Sequence, residues 1–286
     1  MSLSGVLLVE TSVTATASSK LERLHVRDGM REWQNIIVGS RPMILKGVEG
    51  SRREALSPAG LRRRCGARPV HVSLASEGQH FHGPQEVVRH ESMELCAYLD
   101  GLERGAVSGR YLSQIDVMRW LPELYAELPV PPGLPGRKSG QPPIRPFLWL
   151  GGGDDRTPLH FDYEHNLVLQ VWGSKHVQLV APELIRRLRP FGIASPASHI
   201  SRINLSSDPS ALDDIPTLEG VLEAGDLLYL PPFWWHAVRS LEASLSLNWW
   251  WNTGLTSWLK HPQQALRRGL HEALRRVRRR DRHSSD

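Results

Sequence analysis

The chain has 286 residues, 40% hydrophobic and 23% charged, the balance of an ordinary globular protein with one or two domains and room for a large core. No apolar run approaches the ~20 residues of a membrane span, and the N-terminal MSLSGVLLVE has neither the basic start nor the apolar length of a secretory signal. The net charge of +5 sits at one end, since Lys260 to Asp286 holds nine Arg and Lys against three Asp and Glu, which leaves the body close to neutral.

The first ~110 residues read as mixed α/β structure. RPMILKGV (41–48) is a strand opened by a proline and closed by a glycine, and SPAGLRRRC (57–65) starts a helix with a serine cap and a first-turn proline. The two cysteines, Cys65 and Cys96, lie in unrelated contexts and form no disulfide framework, which fits a reducing, cytoplasmic setting. PVHVSLAS (69–76) alternates as a strand does. SMELCAYLDGL (92–102) is expected to be a helix capped by Ser92, and LSQIDVMRWLPELYAEL (112–128) a second helix broken near Pro122. PVPPGLPGRKSGQPPIRP (129–146), with seven prolines in 18 residues, is a surface connection.

From Phe147 the pattern changes to short runs separated by turn residues: FLWLG, LHFDYEHN, LVLQVWG, HVQLVAP, RINLSS, GVLEAGDLLYLPP, HAVRSL and SLSLNWWWN. Short, closely spaced strands point to a sandwich or barrel, here a jelly roll, with PELIRRLRPFG (182–192) as an inserted helix. The tail HPQQALRRGLHEALRRVRRRDRH (261–283) carries Leu266, Leu270, Leu274 and Val277 at helical spacing, an amphipathic helix with an arginine-rich outer face. The organisation expected is therefore an N-terminal α/β portion (1–128), the proline-rich connection (129–146), a mainly β, double-stranded β-helix (jelly-roll) core (147–255) and a C-terminal basic helix (256–286).

Within the core, TPLHFDYEHN (157–166) contains the pair His160-x-Asp162. Residues two apart on a strand share a face, and an imidazole beside a carboxylate is two thirds of the facial triad that holds non-haem Fe(II) with open positions. GDLLYLPPFWWHAV (225–238) supplies the third candidate, His236, because a jelly roll brings distant strands side by side. With 13 histidines in the chain, the pair alone could equally be a solvated strand face.

The motifs FLWLGGG (147–153), TPLHFD (157–162), NLVLQVWGSKHVQLVAP (166–182), GDLLYLPPFWWHAV and SLSLNWWW (244–251), in this order, resemble the Jumonji C, or cupin-like, Fe(II)- and 2-oxoglutarate-dependent oxygenases, most of all the branch containing the asparaginyl hydroxylase of hypoxia-inducible factor. Weaker echoes occur in RPMILKGV and YLSQIDVMRWLPEL, so the resemblance covers about residues 40–255. It implies that His160, Asp162 and His236 hold Fe(II), and that Lys175, with Thr157 and Tyr111, receives the distal carboxylate of 2-oxoglutarate. It further implies that Asn166 and Asn248 stand near the metal-chelating end and that Trp250 lines the pocket. The implied reaction consumes O₂ and 2-oxoglutarate, releases succinate and CO₂, and hydroxylates a carbon, with a protein or peptide side chain as substrate. A tRNA base, a free amino acid or a biosynthetic intermediate are alternative substrates, and N-methyl-lysine demethylation uses the same chemistry. C-terminal helices pair two subunits in that branch, which makes a homodimer through residues 256–280 the expected role of the leucine stripe.

Simpler readings stand beside these. Lys175 in the turn WGSK could be an exposed hairpin lysine, with Arg239 as the alternative cation, and Tyr111 could be a packing residue at a helix start. Trp249, Trp250 and Trp251 cannot all face one pocket, because neighbours on a strand alternate. His80, His82 and Glu86 resemble the first metal motif of small-molecule cupins, although Met93 stands where that motif has glycine. The arginine-rich end offers tRNA a contact, Arg275 to Arg282. A non-catalytic cupin-like binding protein is the reading from a different class.

Overall fold

The computed structural model describes residues 18–25, 30–48, 54–75, 89–135 and 143–283. Two sheets face each other. The smaller has five strands in the order β1 (Ser19–Lys20), β11 (Leu218–Leu222), β10 (Lys175–Val180), β13 (Trp235–Ser240), β8 (Arg156–Phe161). The larger has nine: β2 (Arg23–His25), β3 (Met43–Lys46), β12 (Leu227–Leu230), β9 (His165–Trp172), β14 (Ser244–Trp251), β7 (Pro146–Gly151), β6 (Arg110–Asp116), β4 (Pro69–Leu74), β5 (His90–Glu94). β7 to β14 supply the eight strands of the jelly roll, while β2 to β6 extend the larger sheet at both ends. The described residues also form seven α-helices: α1 (Met30–Gly39), α2 (Pro58–Cys65), α3 (Leu95–Glu103), α4 (Val117–Trp120), α5 (Pro122–Tyr125), α6 (Leu255–Lys260) and α7 (Pro262–His283). Among the described residues no helix is long and apolar enough to cross a membrane.

The period of two along β14 sorts its side chains. Leu245, Leu247 and Trp249 join Trp33, Leu61, Tyr98, Leu99 and Leu124 in the main core, which lies between the larger sheet and the N-terminal helices. Ser246, Asn248 and Trp250 turn the other way and line the cavity between the sheets. Trp251 returns to the core side, so the three consecutive tryptophans divide as alternation requires. A second cluster, Ile44, Val177, Leu179, Leu222, Leu228 and Leu230, closes the far end between the sheets. A third, built on Phe161, Phe233 and Trp235, seats residues 182–217 on the outer face of the smaller sheet.

Several local expectations change. Residues 110–116 form strand β6 and not the start of a helix: a bulge between Leu112 and Ile115, with Gln114 at φ 55°, puts buried residues at 111, 112 and 115, a spacing that imitates a helical face. The expected helix starts only at Val117, as α4 and α5, with the break at Pro122 where the sequence places it. Ser92 lies in β5 opposite His71, and α3 starts three residues later without a side-chain cap. Residues 182–192 form one 3-10 turn, Pro182–Leu184, followed by turns, and residues 202–207 are a turn and not a strand. By contrast the Ser57 cap of α2 is present, its hydroxyl accepting from Gly60 N at 3.1 Å. His80, His82, Glu86 and much of the proline-rich connection lie outside the described residues.

The β9–β10 turn delivers Lys175 to the cavity and depends on Gly173. That residue has φ 69°, and a Cβ there would stand 2.2 Å from the carbonyl oxygen of Ala243. We expect Gly173→Ala to destabilise the fold by roughly 2–4 kcal/mol, combining left-handed strain with a backbone clash. Thermal unfolding followed by circular dichroism would show a fall of several degrees, and an unchanged Tm would refute this.

Candidate metal and cosubstrate site

Two adjacent strands and the loop after one of them build the centre of the cavity. β8 and β13 are antiparallel with His160 directly opposite His236, and their rings lie 4.1 Å apart between centroids. Asp162 follows the end of β8 and places its carboxylate 3.8 Å from Nε2 of each histidine. One ligand atom from each of the three falls within 4.8 Å of the others.

Hydrogen bonds from behind fix which atoms face inward. His160 Nδ1 lies 2.9 Å from Pro158 O, and His236 Nδ1 lies 3.0 Å from Trp234 O. A carbonyl only accepts, so each Nδ1 carries the proton and each Nε2 presents a lone pair to the centre. Asp162 Oδ2 accepts from Trp250 Nε1 at 2.9 Å and from Asn166 Nδ2 at 3.2 Å. Asn166 Oδ1 in turn accepts from Asn248 Nδ2 at 3.0 Å, so the two asparagines reach the centre as a relay through the carboxylate.

The electrostatics agree. Burial pushes His236 down to about 4, the charge of His160 adds to this, and Asp162 opposes it. Burial works to raise the Asp162 carboxyl, yet the charges of His236 and His160 and the Trp250 hydrogen bond prevail and hold it below the usual carboxylate range. Two imidazoles that turn Nε2 to the centre and a carboxylate, each oriented by a second partner, are the donor set of a facial triad, and the residues present fit a divalent iron.

At the other end of the same cavity, about 200 Å³ in volume, stand Lys175, Tyr111 and Thr157. Lys175 is 3% exposed and donates to Tyr111 Oη at 2.9 Å. It is neither an exposed hairpin lysine nor replaced by Arg239, which lies outside and pairs with Asp154 at 2.8 Å. Tyr111 sits on a strand, opposite Gly151, and not at a helix start. Burial drives its phenol well above the ordinary value, with Asp155 adding to the effect, so it stays protonated. Trp149 also lines the cavity, and its buried indole N–H has no hydrogen-bond partner among the described residues. A buried cation and a phenol at one end, with three metal donors at the other, fit a small dicarboxylate that also chelates metal.

Two wall residues carried no signal in the sequence. His199 and Ile200 belong to residues 182–217 yet line the cavity, because 199–201 runs along the free edge of β8: Phe161 N donates to His199 O at 3.1 Å and Ser201 N to Leu159 O at 2.8 Å. α7 holds this wall from behind. Gln264 donates to Pro182 O at 3.0 Å, Arg267 to Ser198 O at 2.8 Å and also to Phe191 O, and His271 Nδ1 lies 3.1 Å from Ile193 O.

A model of the cupin-like domain matches residues 30–257. The Jumonji C domain-containing protein 5 of Drosophila melanogaster is 32% identical over 192 residues, 65% of this chain and 48% of that protein. Lysine-specific demethylase 8 of Xenopus tropicalis is 25% identical over 253 residues, 86% of this chain and 54% of that protein. Lysine-specific demethylase JMJ30 of Arabidopsis thaliana is 37% identical over 108 residues, 36% of this chain and 25% of that protein. The chain thus spans about half, or less, of the length of these relatives. The domain match covers most of the chain, and with relatives of these names the chain belongs to the cupin-like domain family, in the group that contains the Jumonji C 2-oxoglutarate oxygenases.

Proposed function

We propose that this chain is an Fe(II)- and 2-oxoglutarate-dependent oxygenase that hydroxylates a carbon of a protein or peptide side chain. One observation carries the reading: the His160, Asp162 and His236 donors share a single cavity with a buried Lys175–Tyr111 pair. Iron loaded with 2-oxoglutarate supplies O₂ activation and C–H oxidation, with succinate and CO₂ as coproducts. The chain's own part is positional. Lys175, Tyr111 and Thr157 take the distal carboxylate, and Trp250 and Asn166 hold Asp162 in one orientation. The apolar residues of the cavity, Val168, Val177, Leu222, Leu228 and Val238, keep water from the reacting atoms.

The protein substrate rests on the relatives, two of which are named lysine-specific demethylases. Removal of an N-methyl group begins with hydroxylation of that methyl carbon, so demethylation and hydroxylation are two outcomes of one chemistry at different substrate atoms. A tRNA base, free amino acid or biosynthetic intermediate would be oxidised in the same way. The arginine-rich end supports a lesser role in RNA contact, and a non-catalytic binding protein would have no use for the complete triad. In the purified Fe(II) protein under anaerobic conditions, 2-oxoglutarate should produce a visible charge-transfer band. Asp162→Ala should abolish it, and Lys175→Ala should raise the 2-oxoglutarate concentration for half-maximal signal by at least tenfold, the loss of a charge-assisted contact of about 1.5–3 kcal/mol. A folded, metal-loaded protein without the band would overturn the reading.

A second reading concerns assembly. Leu255, Leu259, Leu266, Leu270 and Leu274 are between 37% and 74% exposed, and those of α7 run in a stripe beside the face that Gln264, Arg267 and His271 turn to the body. An apolar stripe on a folded protein is a pairing surface, and a homodimer through α6 and α7 covers it. Sedimentation of the full chain should give a dimer mass, with Leu266→Glu/Leu270→Glu giving a monomer of unchanged secondary structure. A wild-type monomer at high micromolar concentration would dismiss this.

A further inference from the structure

Lys175 is a charged side chain in an almost fully buried place, and a lone buried ammonium tends to lose its proton. The loop after β7 sets a carboxylate close by. Asp155 is 5% exposed, and its Oδ2 accepts from Gly153 N at 3.2 Å. The same oxygen presses on Gly151: a Cβ on that glycine would lie 2.0 Å from Asp155 Oδ2 and 2.8 Å from the Tyr111 ring. Asp155 and Tyr111 thus share the bare surface of one glycine, and Tyr111 Oη accepts from Lys175 at 2.9 Å. Behind them Tyr98 of α3 is fixed by donating to the carbonyls of Arg110 and Leu150, both at 3.0 Å.

We propose that Asp155 is a positioning residue for the cosubstrate: a built-in counter-charge that keeps Lys175 an ammonium ion and gives 2-oxoglutarate affinity a pH dependence set by the pair. The proposal rests on the cosubstrate reading given above. Burial lowers Lys175 and the charge of Asp155 partly offsets this, so that together they set it at about 8. The titratable groups that face this lysine are Tyr111 on β6, Tyr98 behind it and Asp155, with His160, Asp162 and His236 at the opposite end of the cavity. Both tyrosines are raised by burial and by Asp155, so they stay neutral through the range in question.

The sign follows. Lys175 must be charged to receive a carboxylate, so affinity is full below its own value and falls as pH rises through about 8. Without the Asp155 charge Lys175 titrates lower, and the fall begins earlier. Below that range the variant binds at least as tightly, because the carboxylate no longer meets a nearby negative charge.

The test is calorimetric titration of the Mn(II)-loaded full chain with 2-oxoglutarate between pH 6 and 9, for wild type, Asp155→Asn and Lys175→Ala. The metal chemistry is common to the first two and cancels in their ratio. Asp155→Asn should match or exceed wild-type affinity at pH 6 and be about tenfold weaker at pH 8.5, a shift of about one pH unit for a nearby charge. Superimposed profiles, or a variant weaker by one factor at every pH, would overturn the proposal, the second outcome meaning a merely structural role. Should Asp155→Asn fail to fold, Asp155→Ser removes the same charge without crowding Gly151. If Lys175→Ala binds 2-oxoglutarate as well as wild type, the cosubstrate reading itself falls.

Discussion

The register of β8 against β13 is the constraint on which the rest of the site depends. His160 stands directly opposite His236, and a slip of one residue would turn each imidazole out of the cavity and bring Leu159 or Phe161 in. Register is protected on the outer face, where Phe161 and Trp235 pack edge to face with centroids 4.8 Å apart and bury themselves under residues 182–217. The same two strands thus pack apolar rings on one side and hold metal donors on the other. The stability of the outer cluster is what keeps the inner one in place.

The cavity separates its two tasks by distance and by chemistry. At the metal end every donor is held by a second contact, so geometry is set before any ion arrives. At the lysine end the design is a buried cation among phenols, with a carboxylate near enough to matter. Apolar residues line the rest of the cavity, and in that low-dielectric setting the charges at the two ends act more strongly than they would in water.

How much of this was legible in the residues depended on whether a regular period reached the surface of the sequence. The jelly-roll strands alternate cleanly, and β14 shows both faces in SLSLNWWW, so fold class, the His160–Asp162–His236 cluster and a cavity-lining Lys175 could all be placed. β6 deceived because its bulge shifts the alternation by one, and β5 because an exposed edge strand has no buried pattern to show. Within residues 182–217 the sequence suggests a helix at 182–192 and a strand at 202–207, yet the backbone is mostly turns with hydrogen bonds to β8 and to α7, partners distant in sequence. His199 and Asp155 were silent for the same reason: each matters through what it touches, and neither sits in a pattern.

The long C-terminal helix has two faces and one backbone. On its inner side Arg267 and His271 grip the carbonyls of the segment that ends in His199, so the front of the cavity is braced by a helix that contributes no atom to the site. Beside that grip runs the row of exposed leucines. Whatever comes to rest on those leucines leans on a rod whose neighbouring flank is the doorframe of the cavity, and a push on the rod reaches the frame.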